Sequence, residues 1–181
     1  MPLRTDKIRN PIFTVPFRYG TLAAVLSIIL FLILYYAGKH PLLIPPFLDF
    51  RIILYPIILV FAIRDFKENR NEGILHFWQG MSVGIQAVAI SSFFMAIFIL
   101  IFGGLIDSAF LSEYIRLMSE QISHLDEKVI ESVGKEAINK SLELLPSTHI
   151  FDLALDYFIK SLPYGLFLTI IISLILRKKT L

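Results

Sequence analysis

Hydrophobic residues along this chain come in long runs separated by short charged intervals. Phe17 to Ala37 is 21 residues with Arg18 as its one charge. A helix of that length covers about 31 Å at 1.5 Å per residue, close to the thickness of a bilayer's hydrocarbon layer. Phe77 to Ile106 is 30 residues without a charge, and the run ending at Leu176 stops abruptly at Arg177, Lys178 and Lys179. A shorter run, Phe47 to Ile63, carries Asp49 and Arg51 near its start, which leaves a strictly apolar part of about 12 residues and places its charges at the membrane interface. The pattern predicts an all-α integral membrane protein with four transmembrane helices, at 17–37, 47–63, 77–106 and 150–176. A basic tail (1–16), a loop (38–46), a charged turn (64–76), a helical insert (107–149) and a second basic tail (177–181) connect and flank them.

The insert has a pattern of its own. Leu111, Ile115, Met118, Ile122, Leu125 and Val129 recur at spacings of 4, 3, 4, 3 and 4, which draws one apolar stripe on a helix. Glu131 and Lys135 have the favourable i, i+4 order, Gly134 interrupts the helix, and a second apolar face through Ala137, Ile138, Leu142 and Leu145 ends at Pro146. Such a stripe can fold back on the ends of the spans, lie in the headgroup layer, or serve as a docking surface for a second copy or a partner helix.

Composition agrees with a membrane setting: 56% of the 181 residues are hydrophobic, the mean hydropathy is +0.71, and only 18% are charged, against about a quarter in soluble domains. With a net charge of +2 and no recognition motif, no nucleic-acid partner is expected. The absence of cysteine excludes disulfides, thiolate metal sites and a cysteine nucleophile. The first run is longer than a signal-peptide core and has Tyr35 where a cleavage site needs a small residue, so it is read as a retained anchor. Placing the N-terminus in the cytoplasm puts ten of the seventeen Lys and Arg residues on that side within short segments, among them Arg64, Lys67 and Arg70 in the turn and Arg177, Lys178 and Lys179 at the end. The positive-inside rule therefore predicts an outer insert and both termini in the cytoplasm.

Polar residues within the runs are few. His149, Asp152, Asp156 and Lys160 lie at i, i+3, i+7 and i+11, along one helix face. That face suits a metal or a proton path, but Lys160 is about 24 Å along the helix from Leu176, near the outer interface. There an ordinary Asp156–Lys160 pair joined by Arg51 is the simpler expectation. In the third run Gly80 and Gly84 form G-x-x-x-G, which lets two helices approach closely, and Gln79 and Gln86 can hydrogen-bond across such a seam. A pore lining would need polar partners on the other runs, which offer little beyond Thr21, Ser27 and Thr169. No H-E-x-x-H, G-x-S-x-G or phosphate-binding loop is present, so neither enzymatic activity nor a cofactor is expected.

The stretch Gly73-Ile-Leu-His-Phe77-Trp-Gln79-Gly80-Met-Ser82-Val-Gly84 resembles the G-x-I-x-F-x-Q-A-x-K-x-G segment of domain of unknown function 4199, a family of small bacterial inner-membrane proteins. The layout is also similar: Tyr19-Gly20 at the entry to the first span, a charged turn from Arg64, an acidic insert before the last span, and a basic C-terminus. Gly80 stands where alanine is usual and Ser82 where lysine is usual. The resemblance implies a bacterial inner-membrane location and carries no activity or substrate. The expectation from the residues is a non-enzymatic subunit, scaffold or accessory factor, in contact with the lipid bilayer and with a second copy or a membrane-protein partner. A small oligomeric transporter or channel is the alternative.

Overall fold

The computed structural model describes residues 11–177 except 46–47, 127–129 and 131. All the elements it describes are helical. Helix α1 (Pro11–Tyr36) is followed by a loop with a single 3-10 turn at Pro41–Leu43, then by α2 (Arg51–Asp65) and α3 (Phe77–Ile101). The insert contributes α4 (Ala109–Ser123) and α5 (Lys135–Leu144), and α6 (Ile150–Leu176) closes the chain. Three helical segments, Pro11–Tyr36, Phe77–Ile106 and Ile150–Leu176, are long and apolar enough to cross a membrane. With 15 residues, α2 covers about 22 Å and falls short of that length. Its predicted first residues, Leu48 to Phe50, lie in the turn ahead of the helix, and Phe47 lies outside the described residues.

Local chemistry sets the ends. After α1, Gly38 takes a left-handed φ of 78°. Its N–H donates to the Tyr35 carbonyl and that of Lys39 to the Leu34 carbonyl, the paired bonds of a glycine-terminated helix. α2 runs into a wide π-turn at Phe66–Arg70, and α3 into another at Phe102–Ile106. Between α2 and α3, Asn71 donates to the Ile74 carbonyl and to Gln79 Oε1, which also accepts the His76 N–H at 3.0 Å. Lys67 reaches across to the carbonyl of Leu176 at 3.0 Å, placing a cation at the negative end of α6.

The helices are held together by a seam between α3 and α6. A Cβ built on Gly80 would lie 2.6 Å from Ser173 Oγ, one on Gly84 2.3 Å from Thr169 Cγ2, and one on Gly165 2.4 Å from Val88 Cγ1. Small residues on each helix thus receive side chains from the other over three successive turns, and the backbones close to a distance larger residues forbid. On the other flank of α3, Gly20 of α1 approaches the Ala87 carbonyl and Ile90 in the same way. One core cluster lies toward the chain termini and includes Leu59, Ala62, Ile63, Val83 and Ala87. Another lies toward the insert, where Phe31 meets Phe98 and Phe102 edge-on at 5.5 and 5.8 Å.

The insert departs from the expected single long helix. α4 ends at Ser123, leaving Leu125 beyond it, while Val129 lies outside the described residues. Ser123 and His124 are weaker helix formers than the residues before them, and the apolar spacing alone does not register this.

Because Gly84 admits no Cβ without displacing Thr169, Gly84→Ala is expected to destabilise the protein by about 1–3 kcal/mol through overpacking. Gly104→Ala, with nothing nearer than 4.0 Å, is expected to change stability by no more than about 0.5 kcal/mol. Reversible unfolding in detergent micelles measures both, and equal effects would contradict the seam.

Candidate functional site

The insert is fastened to the bundle by an aromatic and polar cluster. Phe110, in the first turn of α4, is fully buried against Phe31, Tyr35 and Phe102. Gly103 makes room for it: a Cβ there would lie 2.8 Å from the Phe110 ring and 2.4 Å from Ile150. The imidazole of His40 packs on Phe110 at 4.5 Å and places Nε2 3.3 Å from the Phe110 carbonyl. Nε2 therefore carries the proton and donates, while Nδ1 is buried without a partner. Tyr35 donates to Asp107 Oδ2 at 2.6 Å, and Asp107 Oδ1 accepts the Ala109 N–H at 2.9 Å, which starts α4. The Tyr35 hydrogen bond, helped by that N–H, holds the Asp107 carboxyl below its ordinary pKa.

Beneath α4 the bundle is hollow. Because α2 begins late, the loop at 41–45, the start of α2, and α4 and α6 enclose a cavity of about 360 Å³. Its polar lining includes Asp49, Arg51, Asp156, Lys160, Tyr157 and Gln121. Asp49 accepts the Arg51 backbone N–H at 2.9 Å, capping the first turn of α2, and its other oxygen takes Nε–H at 2.7 Å and a second guanidinium N–H. Nη1 of Arg51 donates to Ser161 Oγ at 2.9 Å, and the guanidinium lies 4.7 Å over the Tyr157 ring. The Arg51 and Asp49 side chains are only 16% and 14% exposed, so this pair is largely withdrawn from solvent. Ser161 stands fifteen residues before Leu176, about 22 Å along α6. Arg51 is therefore held against the part of α6 nearer its start, within a helix long and apolar enough to cross a membrane. An ionised group so withdrawn from water persists only with partners around it. Just beyond it the hydroxyls of Tyr55, Tyr157 and Ser91 are buried beside one another.

The expected outer cluster is brought together only in part. Asp156 and Lys160 reach the cavity and pair with each other at 2.6 Å with both side chains exposed. Arg51 does not join them; its partners are Asp49, Ser161 and Tyr157. Tyr157 and Ser161 are an i, i+4 pair one residue further along α6, turned about 100° from the Asp156–Lys160 face. Asp152 is outside the cavity and accepts the His149 N–H at 2.7 Å, capping α6. No group of three His, Asp or Glu residues among the described ones is arranged to hold a metal ion.

Other residues singled out by the sequence also have definite places. Gly80 and Gly84 face α6. Gln79 and Gln86 do not cross to another helix: Gln79 closes the turn before α3, and Gln86 donates to Ser82 Oγ and its carbonyl, one turn back. Near the surface of one's own helix such bonds form with little loss of side-chain freedom, which explains the difference from the expected seam contacts. Leu111, Ile115, Met118 and Ile122 are all half-buried on α4, and Met118 lines the cavity. Arg64 pairs with Glu68 at 2.8 Å, Arg70 and Arg177 are exposed, and Lys178 and Lys179 lie outside the described residues. Sequence reasoning passed over Phe110, His40, Tyr157 and Ser161. An aspartate two residues ahead of Arg51, at a helix start, was the one legible signal of the Asp49–Arg51 pair.

Three long apolar helices define a multi-pass membrane protein. The sequence profile of the family described as a protein of unknown function, DUF4199, matches residues 18–178, and the chain belongs to that family. No curated protein and no solved structure matches it.

Two measurements test the site. Asp49→Ala leaves the buried Arg51 charge uncompensated and is expected to cost about 3–5 kcal/mol, most of it recovered when Arg51→Met is added; a purely additive double variant would contradict a coupled pair. Burial pushes the His40 imidazole below its ordinary pKa, against smaller opposing effects of the Phe110 carbonyl and Glu113. The undocked imidazole takes up a proton near pH 6.5 while the buried one resists, so α4 docking is unaffected well above about pH 6.5 and weakens as pH falls below it. Amide exchange in α4, corrected for intrinsic rates, is expected to accelerate on acidification in the parent and not in His40→Gln.

Proposed function

We propose that this is a non-enzymatic protein of the bacterial cytoplasmic membrane that binds a small charged ligand in the hollow beneath its insert. One observation carries the reading: a largely buried Asp49–Arg51 pair lines a cavity that the chain covers with a separately anchored helix. Covering such a pair with a helix keeps water from it while leaving an opening beside exposed Asp156 and Lys160. In this reading α2 completes a fourth crossing together with the loop ahead of it, the insert faces outward, and both termini are cytoplasmic, as the distribution of Lys and Arg supports. A conduction path is less favoured, because past Ser91 the bundle closes on Ile58, Leu59, Ala87 and Val88.

An accessory-subunit role is a second reading, favoured by α5, which buries none of its residues and leaves Leu144 56% exposed. Crosslinking from position 138 in native membranes to a second polypeptide, or to another copy, supports it; capture of neither removes it.

The chain contains no cysteine, so an introduced one is a unique label. Gln121→Cys is expected to react with a membrane-impermeant maleimide in intact cells, and Arg70→Cys only after permeabilisation; the reverse pattern would overturn the orientation. For the ligand, purified protein is heated with a panel of water-soluble zwitterions and anions and with lipid extracts. At least one class is expected to raise the melting temperature, and Gln121→Trp, which fills the cavity mouth without touching the buried pair, to abolish the rise. No stabilisation by any class would sink the ligand-binding reading.

A further inference from the structure

We propose that the hollow beneath α4 and a groove that continues it along α6 form one site for a membrane phospholipid with a zwitterionic headgroup. This rests on the hollow being a ligand site and adds the ligand's chemical class. The groove, about 420 Å³, is lined by Ile52, Pro163, Tyr164, Phe167 and Leu168. Its lining follows that of the hollow on both helices: Ile52 comes next after Arg51 on α2, and Pro163 lies three residues beyond Lys160 on α6. On α6 the residues Asp156, Lys160, Tyr164 and Phe167 follow at intervals of 4, 4 and 3, so a single helix face leads from charged to largely apolar lining.

Depth matches this division. Lys160 is about 24 Å along α6 from Leu176, near the opposite boundary of the hydrocarbon layer, and its long stem carries the ammonium to headgroup level. Phe167, seven residues further on, is about 10 Å deeper, where only acyl chains are available to fill a groove. A water-soluble ligand occupies the hollow and makes no use of the groove; a lipid uses both.

Charge selects the headgroup. The hollow presents two cations, Arg51 and Lys160, and two carboxylates, Asp49 and Asp156. A headgroup with net negative charge would confront both carboxylates without a compensating cation of its own, whereas a zwitterion gives each sign a partner. Of the five N–H donors on a guanidinium, Arg51 commits three to Asp49 and Ser161. The remaining two are donors for phosphate oxygens, with Lys160 at the rim. Asp156 at the same rim accepts from, or pairs with, the headgroup cation.

The test uses the full chain with Trp78→Phe and Phe167→Trp, which leaves one tryptophan, in the groove. Both positions are exposed, at 60% and 65%, so the fold tolerates the exchange. The protein is reconstituted in mixed vesicles in which one lipid class at a time carries brominated acyl chains, which quench tryptophan on contact. Brominated phosphatidylethanolamine or phosphatidylcholine is expected to quench at least about threefold more effectively than phosphatidylglycerol, the scale of one favourable charge contact. Lys160→Gln is expected to bring that ratio to about one. Equal quenching by all three lipids, or stronger quenching by phosphatidylglycerol, overturns the proposal. If lipids show no preference while soluble phosphoethanolamine still raises the melting temperature, the lipid assignment fails and the hollow stands as a site for a soluble zwitterion. If neither effect is seen, both readings fail together.

Discussion

The close approach of α3 and α6 is the constraint on which the rest of the structure depends. In a bilayer no hydrophobic effect drives one apolar helix onto another, since lipid chains are as apolar as the side chains they would replace. Association must come from packing, and packing improves as backbones draw together. Gly80 and Gly84 on one helix and Gly165 on the other allow that approach, with Ser173, Thr169 and Val88 filling the space the missing side chains leave. This fixes the register of the two longest helices. α1 then lies along α3 through Gly20, and Lys67 at the other end reaches the last carbonyl of α6.

That register has a consequence at the opposite end. With α3 and α6 locked and α2 only 15 residues long, the bundle is one helix short where the insert leaves it. The space is filled by the loop ahead of α2, by the Asp49–Arg51 pair and by α4. Withdrawing two charges from water is costly, and here the cost is offset by a concentration of contacts: both carboxylate oxygens, a serine hydroxyl and a tyrosine face all meet the arginine. The covering helix is independently secured by Phe110, His40 and the Tyr35–Asp107 bond, so the hollow is roofed by contacts that do not involve the charged pair itself. The roof over the buried charge pair thus rests on contacts separate from the seam that holds the bundle together.

Much of the fold was legible along the chain. Runs of apolar residues longer than a bilayer's thickness gave α1, α3 and α6, the G-x-x-x-G spacing marked the seam, and the Gly73–Gly84 stretch marked the family. The site was legible only in fragments. Asp156 and Lys160 announced a pair by their spacing, and Asp49 stood two residues ahead of Arg51, but nothing linear showed that Arg51 would also reach Ser161 and Tyr157 and leave Asp156 to Lys160. The glutamines illustrate the same limit, since spacing shows which face of a helix they occupy and says nothing about whether a partner on the next helix is within reach.

What the sequence by itself determined is therefore what depends on one helix at a time: which three segments are long and apolar enough to cross a membrane, where small residues permit close contact, which ends carry the positive charge, and to which family the chain belongs. The tertiary structure alone decided where the insert lies, that α2 stops short and leaves a hollow, and that Arg51 turns to Asp49, Ser161 and Tyr157. The reason is geometric. Periodicity along a helix fixes the direction of each side chain about its own axis, while the depth and rotation of one helix against another follow from interlocking side chains far apart in sequence. Arg51 and Ser161 are 110 residues apart, and only the packing between them brings one to the other.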